Sequence, residues 1–202
     1  MPHQTTCWEV PVFCIEQPSM RYRIEMAKLC PGGQEMYTYC VFCETVRCDY
    51  VARTAEQTLH CKAVSPKQVQ HTWFQGKMVD VLHDLFPGYV FIYADEPMDI
   101  VRIQEIHGVI RCLSSSEGMY ELTGADRQFA LMLFQHQGII GKTKVYEEGQ
   151  FIRICQGAFE GVETRILKVN RHKQRMLIEI PFANMPVKTW VEFEIVTEMP
   201  GA

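Results

Sequence analysis

From Gln150 to Val196 the apolar residues fall into a period of two, and this constrains the fold more than any other feature of the chain. Successive side chains on an extended strand point to opposite faces, so a stretch patterned this way does not close into an amphipathic helix. Val191, Phe193 and Ile195 share one face of a strand expected over 189–196. Further strands are expected over 150–155, 162–169 and 175–180. Turn residues separate them at Gly157 to Gly161, at Asn170-Arg171-His172-Lys173 and at Pro181 to Pro186. Roughly fifty residues of short strands predict a small β-barrel.

Upstream the texture is mixed. Leu85-Phe86-Pro87-Gly88-Tyr89-Val90-Phe91-Ile92 is an apolar, aromatic run broken by Pro-Gly, and it predicts a buried strand over about 86–93. Pro87 stands at its start, where a missing N–H costs least, and Gly88 lets the chain bend. The bend divides the run: Val90 and Ile92 face inward, while Phe86 and Tyr89 turn outward. Phe91 reads as core.

A first strand is expected over Trp8 to Ile15, carrying Val10, Val12 and Phe13. Ser19 caps a helix whose face holds Met20, Ile24 and Ala27, and Pro31-Gly32-Gly33 stops it. Tyr37 to Val46 reads as a second strand. Residues 48–71 are polar and read either as a β-hairpin arm or as a loop. Asp95-Glu96-Pro97 starts a helix with Ile100, Ile103 and Ile106 buried. Val109 to Leu113 is a short strand, and Thr123 caps a helix running to about Gln137. This order predicts an α+β fold, an antiparallel sheet with helices on one face, followed by the barrel. The expected boundaries are 1–138 for the first domain, 139–148 for a glycine-rich and charged linker, and 149–199 for the second.

Composition excludes several classes. The 202 residues are 47% hydrophobic and 22% charged, normal for a globular protein. No apolar run is long enough to span a bilayer, and the N-terminus shows no basic region followed by an apolar stretch, so a cytoplasmic location and no membrane partner are expected. The net charge of −4 speaks against nonspecific nucleic-acid binding, although the acidity lies in the first 138 residues and the last fifty or so are nearly balanced. Nine cysteines without a secretory signal do not predict a disulfide framework. Cys40-Val41-Phe42-Cys43, with Cys48 and Cys61 nearby, has zinc-ligand chemistry. Residues three apart on a strand point to opposite faces, however, so reduced, partly buried thiols are the favoured reading and no metal or other cofactor is expected. No P-loop, G-x-S-x-G or H-E-x-x-H occurs, so the chain is expected to act by binding and not as an enzyme.

Two pieces resemble the NusG family of transcription elongation factors. Phe86-Pro87-Gly88-Tyr89 is similar to the F-P-G-Y motif of the family's N-terminal NGN domain, and His107-Gly108-Val109-Ile110-Arg111 resembles its P-G-V-x-x-F segment with His in place of Pro. Gly149-Gln150-Phe151-Ile152-Arg153-Ile154, followed by Gly157-Ala158-Phe159-Glu160-Gly161, looks like a KOW motif. Leu122 to Ala130 and Ile139 to Val145 look like LoaP, the family's specialised antiterminating branch.

The resemblance implies an NGN domain followed by an SH3-like KOW barrel. It implies that the first domain sits on the β′ clamp helices of RNA polymerase, through an aromatic hollow for which Phe13, Phe86 and Tyr89 are the candidates, with Arg102 (and Gln104) at a second contact. Aromatic side chains suit such a surface, because they bring large area with few rotors to freeze. Arg165, Lys168, Arg171, His172, Lys173 and Arg175 cluster on one hairpin that fits a nascent RNA stem-loop. Phe182 falls where the family carries an aromatic facing a ribosomal protein or a termination factor. Each has a plainer reading: core packing for the aromatics, a solvated helix face for Arg102, a solvated turn for the hairpin. The alternative function is a KOW-containing RNA-binding protein of ribosome assembly or translation, which the acidic first domain disfavours. Some relatives cover the NGN surface with a refolded, helical KOW domain, and the strict alternation of 189–196 predicts β-structure there instead.

Overall fold

A computed structural model describes residues 36–114, 118–149 and 151–197. The strand expected over 8–15, with Phe13, and the helix after Ser19 lie outside the described residues.

The described chain opens with β1 (Tyr37–Cys43) and a short 3-10 turn, Thr45–Arg47. Helix α1 (Cys48–Leu59) follows, where a hairpin arm or loop was expected. Its buried residues are Cys48, Val51, Ala52 and Ala55, an i, i+3, i+4, i+7 stripe made of small side chains. The stripe sits in an otherwise polar stretch, and the helix ends on His60 in the left-handed region at φ 52° instead of on a glycine, so the usual stop signal is missing and the helical spacing of the stripe was the signal available.

Next come β2 (Lys62–Val64), β3 (Lys67–Phe74), β4 (Lys77–Asp84) and β5 (Tyr89–Ala94). Between β4 and β5 the Tyr89 N–H donates to the Phe86 carbonyl at 3.1 Å, closing a turn around Pro87-Gly88. Gly88 has φ 92°, and Pro followed by a positive-φ residue is the type II arrangement. A side chain on Gly88 would also meet the Phe42 ring at 2.8 Å. The strand therefore begins after the turn and not at residue 86.

Asp99 caps helix α2 (Ile100–Gln104) by accepting from the Val101 N–H at 2.9 Å, so the helix starts after Asp95-Glu96-Pro97 and not on it. Then follow β6 (Val109–Cys112), α3 (Gly124–Gln135, N-cap Thr123), β7 (Ile139–Ile140), β8 (Thr143–Glu148), β9 (Phe151–Gln156), β10 (Arg165–Asn170), β11 (Arg175–Phe182) and β12 (Met185–Val196). The segment read as a linker, 139–148, is thus mostly strand: β7 pairs with β3, and β8 pairs in parallel with β12.

The fold is α+β in its first part and β-rich in its second. A four-stranded sheet runs β2-β5-β1-β6, a three-stranded sheet β4-β3-β7, and a five-stranded sheet β10-β11-β12-β8-β9. The four-stranded sheet is buried on both faces. Tyr39, Val41, Val90 and Ile92 pack with α1 and α2, whereas Cys40, Phe91 and Tyr93 pack with α3 and with residues of the second part. This is why β5, and β1 apart from Thr38, read as apolar runs and not as alternating strands.

Candidate functional site

The second face of the four-stranded sheet carries an aromatic cluster. Phe91 and Phe129 of α3 meet at 6.0 Å between ring centroids, and Phe86 stands edge-on to Phe129 at 5.3 Å. Tyr89 lies 5.3 Å from Phe42, whose ring also carries the Arg111 guanidinium at 5.9 Å. Phe182, at the end of β11, enters this cluster from the second part. It lies 5.4 Å from Phe91, 5.7 Å from Phe129 and 6.4 Å from Tyr89. Each such pair contributes about 0.5–1.5 kcal/mol beyond the area it buries.

Two expectations of outward-facing aromatics are therefore corrected. Phe86 is 4% exposed, because the turn tucks its ring against Phe129, and Phe182 is 4% exposed, because it fills the space between Tyr89, Phe91 and Phe129. Tyr89 stays half-buried, and burial pushes its phenol above the ordinary range. Phe91, Val90 and Ile92 are buried as expected.

Polar contacts fix the approach of the second part. The Thr189 hydroxyl donates to the Leu85 carbonyl at 2.7 Å, just before the Phe86–Tyr89 turn. The Ala183 N–H donates to both carboxylate oxygens of Asp126 at 3.1 Å each, and burial raises the Asp126 carboxyl despite that contact. Ala183 and Asn184 form the two-residue turn between β11 and β12, with φ 48° and 63°. The buried carboxylate of Glu192 accepts from the His71 backbone N–H at 3.2 Å, lies 2.9 Å from His71 Nδ1, and takes the Arg175 guanidinium at 3.4 Å.

The cationic hairpin is formed in part. Arg171, His172 and Lys173 sit exposed in the turn between β10 and β11, with Lys168 exposed on β10 beside them. Arg171 is held by Glu147 at 3.0 Å and Arg175 by Glu192, so these two face the protein's own carboxylates. Arg165 is exposed, across the same ladder from Glu179. Arg102 is exposed on α2, away from the aromatic cluster, and donates to the Thr58 carbonyl at 3.4 Å.

Sequence reasoning passed over Phe42, which meets Tyr89 at the margin of the cluster. Its position in β1, across from Tyr89 in the ladder, was the available signal. It also passed over the tip of the β3–β4 hairpin, where Trp73 is 71% and Phe74 62% exposed beside a two-residue turn at Gln75-Gly76. As for the thiols, Cys40 joins the aromatic side of the sheet and Cys43 the helical side, so the two do not converge. No group of three or more metal-ligating side chains converges among the described residues. No helix among them is long and apolar enough to cross a membrane.

Residues 36–130 match the family model "NusG: Transcription termination factor nusG". The chain is 27% identical over 133 residues to the transcription termination/antitermination protein NusG of Lactococcus lactis, an alignment covering 61% of this chain and 68% of that protein. A solved structure titled "Domain interaction in Thermotoga maritima NusG" overlays with a TM-score of 0.47 at 18% identity, covering 78% of this chain and 94% of the other.

Proposed function

Taking residues 36–130 as a NusG-family segment, we propose that the chain is a transcription elongation and antitermination factor. On this reading 1–138 act as the NGN domain and 149–199 as the KOW domain. The observation that carries it is the Phe86–Tyr89 turn, which lies inside the matched segment and sets Tyr89 against Phe42 at the margin of the aromatic cluster. That margin would meet the β′ clamp helices of RNA polymerase in the cytoplasm, with Arg102 at a second contact. The exposed tip of Arg171, His172 and Lys173, with Lys168, would meet nascent RNA, a stem-loop in the manner of LoaP. Phe182 would serve a ribosomal protein or a termination factor. The protein would act by binding: holding the polymerase in its elongating state shifts a population and needs no bond chemistry.

In the docked arrangement Phe182 occupies the cluster, so the polymerase surface and the partner-facing aromatic occlude each other. Polymerase binding would then compete with docking, and a ligand that frees Phe182 would raise the apparent affinity.

The test is transcription in vitro through a terminator, with leaders that do and do not encode a stem-loop. Added protein should raise readthrough, and Tyr89→Ala should abolish the gain while the second part stays folded. Unchanged readthrough on every leader would overturn the proposal.

A further inference from the structure

Cys43 closes β1 and Cys48 opens α1, five residues apart around the 3-10 turn. Their Sγ atoms are 3.5 Å apart, and the two residues are 1% and 2% exposed. In the turn that links them Glu44 and Thr45 are exposed and Val46 is 93% exposed. The Cys48 thiol is lowered to about 7, first by the hydrogen bond from Cys43, whose own thiol that same contact pushes up. Cys48 is also the first residue of a twelve-residue helix, where unpaired backbone N–H groups favour a negative charge. One thiol poised to ionise with a second in contact behind it is the pairing of an attacking and a resolving cysteine.

The pair adjoins the Phe86–Tyr89 turn. The Cys43 N–H donates to the Gly88 carbonyl at 2.8 Å, and the Cys43 Sγ approaches that same oxygen at 3.5 Å. A disulfide needs its sulfurs at about 2.05 Å, so closure draws the end of β1 and the start of α1 together against this turn.

We propose that Cys43 and Cys48 are a redox pair that a hydroperoxide converts to an intrachain disulfide at the seam holding the Phe86–Tyr89 turn. The Cys48 thiolate attacks one peroxide oxygen; the S–O bond forms, the O–O bond breaks, and hydroxide leaves, taking up a proton to become water. Cys43, giving up its proton, then attacks the sulfur of the Cys48 sulfenic acid. The S–S bond forms, the S–O bond breaks, and the departing hydroxide takes that proton as a second water. Two thiols lose two electrons and one hydrogen peroxide becomes two waters. A small oxidant suits the site, since both thiols are buried and a local opening of the chain has to admit it.

The chain settles the question by its own cleavage pattern. Arg47 lies between the two cysteines, so trypsin separates them unless a disulfide joins the fragments. The full-length protein is treated with hydrogen peroxide, alkylated with N-ethylmaleimide in denaturant, digested without reductant, and read by fragmentation mass spectrometry. The expected product is the peptide ending at Arg47 joined through Cys43 to Cys48–Arg53, lost on reduction. It should form more than about tenfold faster than oxidation of Cys61, whose thiol burial pushes up to about 11. In Cys43→Ala the reaction should stop at a Cys48 sulfenic acid that dimedone captures. Cys48 found as sulfinic acid beside a free Cys43, Cys48 joined to another cysteine, or Cys61 and Cys155 oxidised first would each overturn the proposal in the native protein, whether or not the variant folds.

Discussion

The two faces of the four-stranded sheet are built on different terms. The helical face is lined by Tyr39, Val41, Val90 and Ile92 against Val51, Ala55, Ile103 and Ile106, all from one continuous segment of the chain. The other face is aromatic, and its covering residues arrive from far along the sequence: Phe129 on α3, then Phe182 on β11. The first face closes with short loops and is inseparable from the sheet. The second is sealed partly by an element held by the ring contacts of Phe182 and by polar contacts of Thr189 to Leu85, Ala183 to Asp126 and Glu192 to His71. A sheet can thus have one face closed by neighbouring segments and another closed by residues from far along the chain.

The substitution that most directly breaks this contrast is Phe182→Ala. Truncating a buried phenylalanine costs about 3–5 kcal/mol. If the faces differ as described, the loss falls on docking: hydrogen exchange should rise at Ala183 and around Leu85 while α1 keeps its protection. Uniform loss of protection across both parts would show that the two faces fold as one unit. Glu192→Gln should cost less, about 1.5–3 kcal/mol, since an amide still accepts from the His71 N–H but lacks the charge facing Arg175. The readout is again hydrogen exchange, here at His71. Ile92→Val, on the helical face, should cost about 0.5–1.5 kcal/mol in urea unfolding, and the docking contacts should keep their protection.

The smallest effect concerns pH. Burial raises the Asp126 carboxyl above its ordinary value, so the folded state binds this proton more tightly than the unfolded chain does. The contribution of Asp126 to stability is therefore fully present below its unfolded pKa and is lost as pH rises through its higher folded value. Asp126→Asn should flatten the pH dependence of unfolding in that acidic window and leave the Ala183 N–H an amide oxygen to meet.

Legibility in the sequence followed the same division. Strands β9 to β12 were readable because alternation reports a sheet with one buried face, and the burial of β11 alternates as the pattern predicts. The Phe86–Tyr89 turn was readable because Pro-Gly has few backbone options, and the start of α3 was readable at Thr123, which stands at the N-cap position although its side chain makes no capping hydrogen bond. The helix α1 was not, since its stripe of Cys48, Val51, Ala52 and Ala55 is short and set in a polar stretch, and its end has no glycine. Nor was the burial of Phe182. A strand covered on both faces shows in its own residues that something lies above it, but nothing in Tyr89 or Phe91 says which distant residue that is. Strand β8 was missed because Gly141, Lys142, Lys144, Glu147 and Glu148 have the composition of a linker, while its place is fixed by parallel pairing with β12, some fifty residues on.

That pairing limits how far the second part can travel. With β7 bound to β3 and β8 bound to β12, only Gly141 and Lys142 stand between the two ladders. Two residues reach about 7 Å at full extension, whereas ten flexible ones would wander over roughly 18 Å. A released Phe182 would therefore swing about a fixed pivot, on an arc that keeps bringing it back to the cluster it left. A competitor for that surface would meet a rival whose local concentration hardly falls, unless one of the two ladders at the pivot also comes apart.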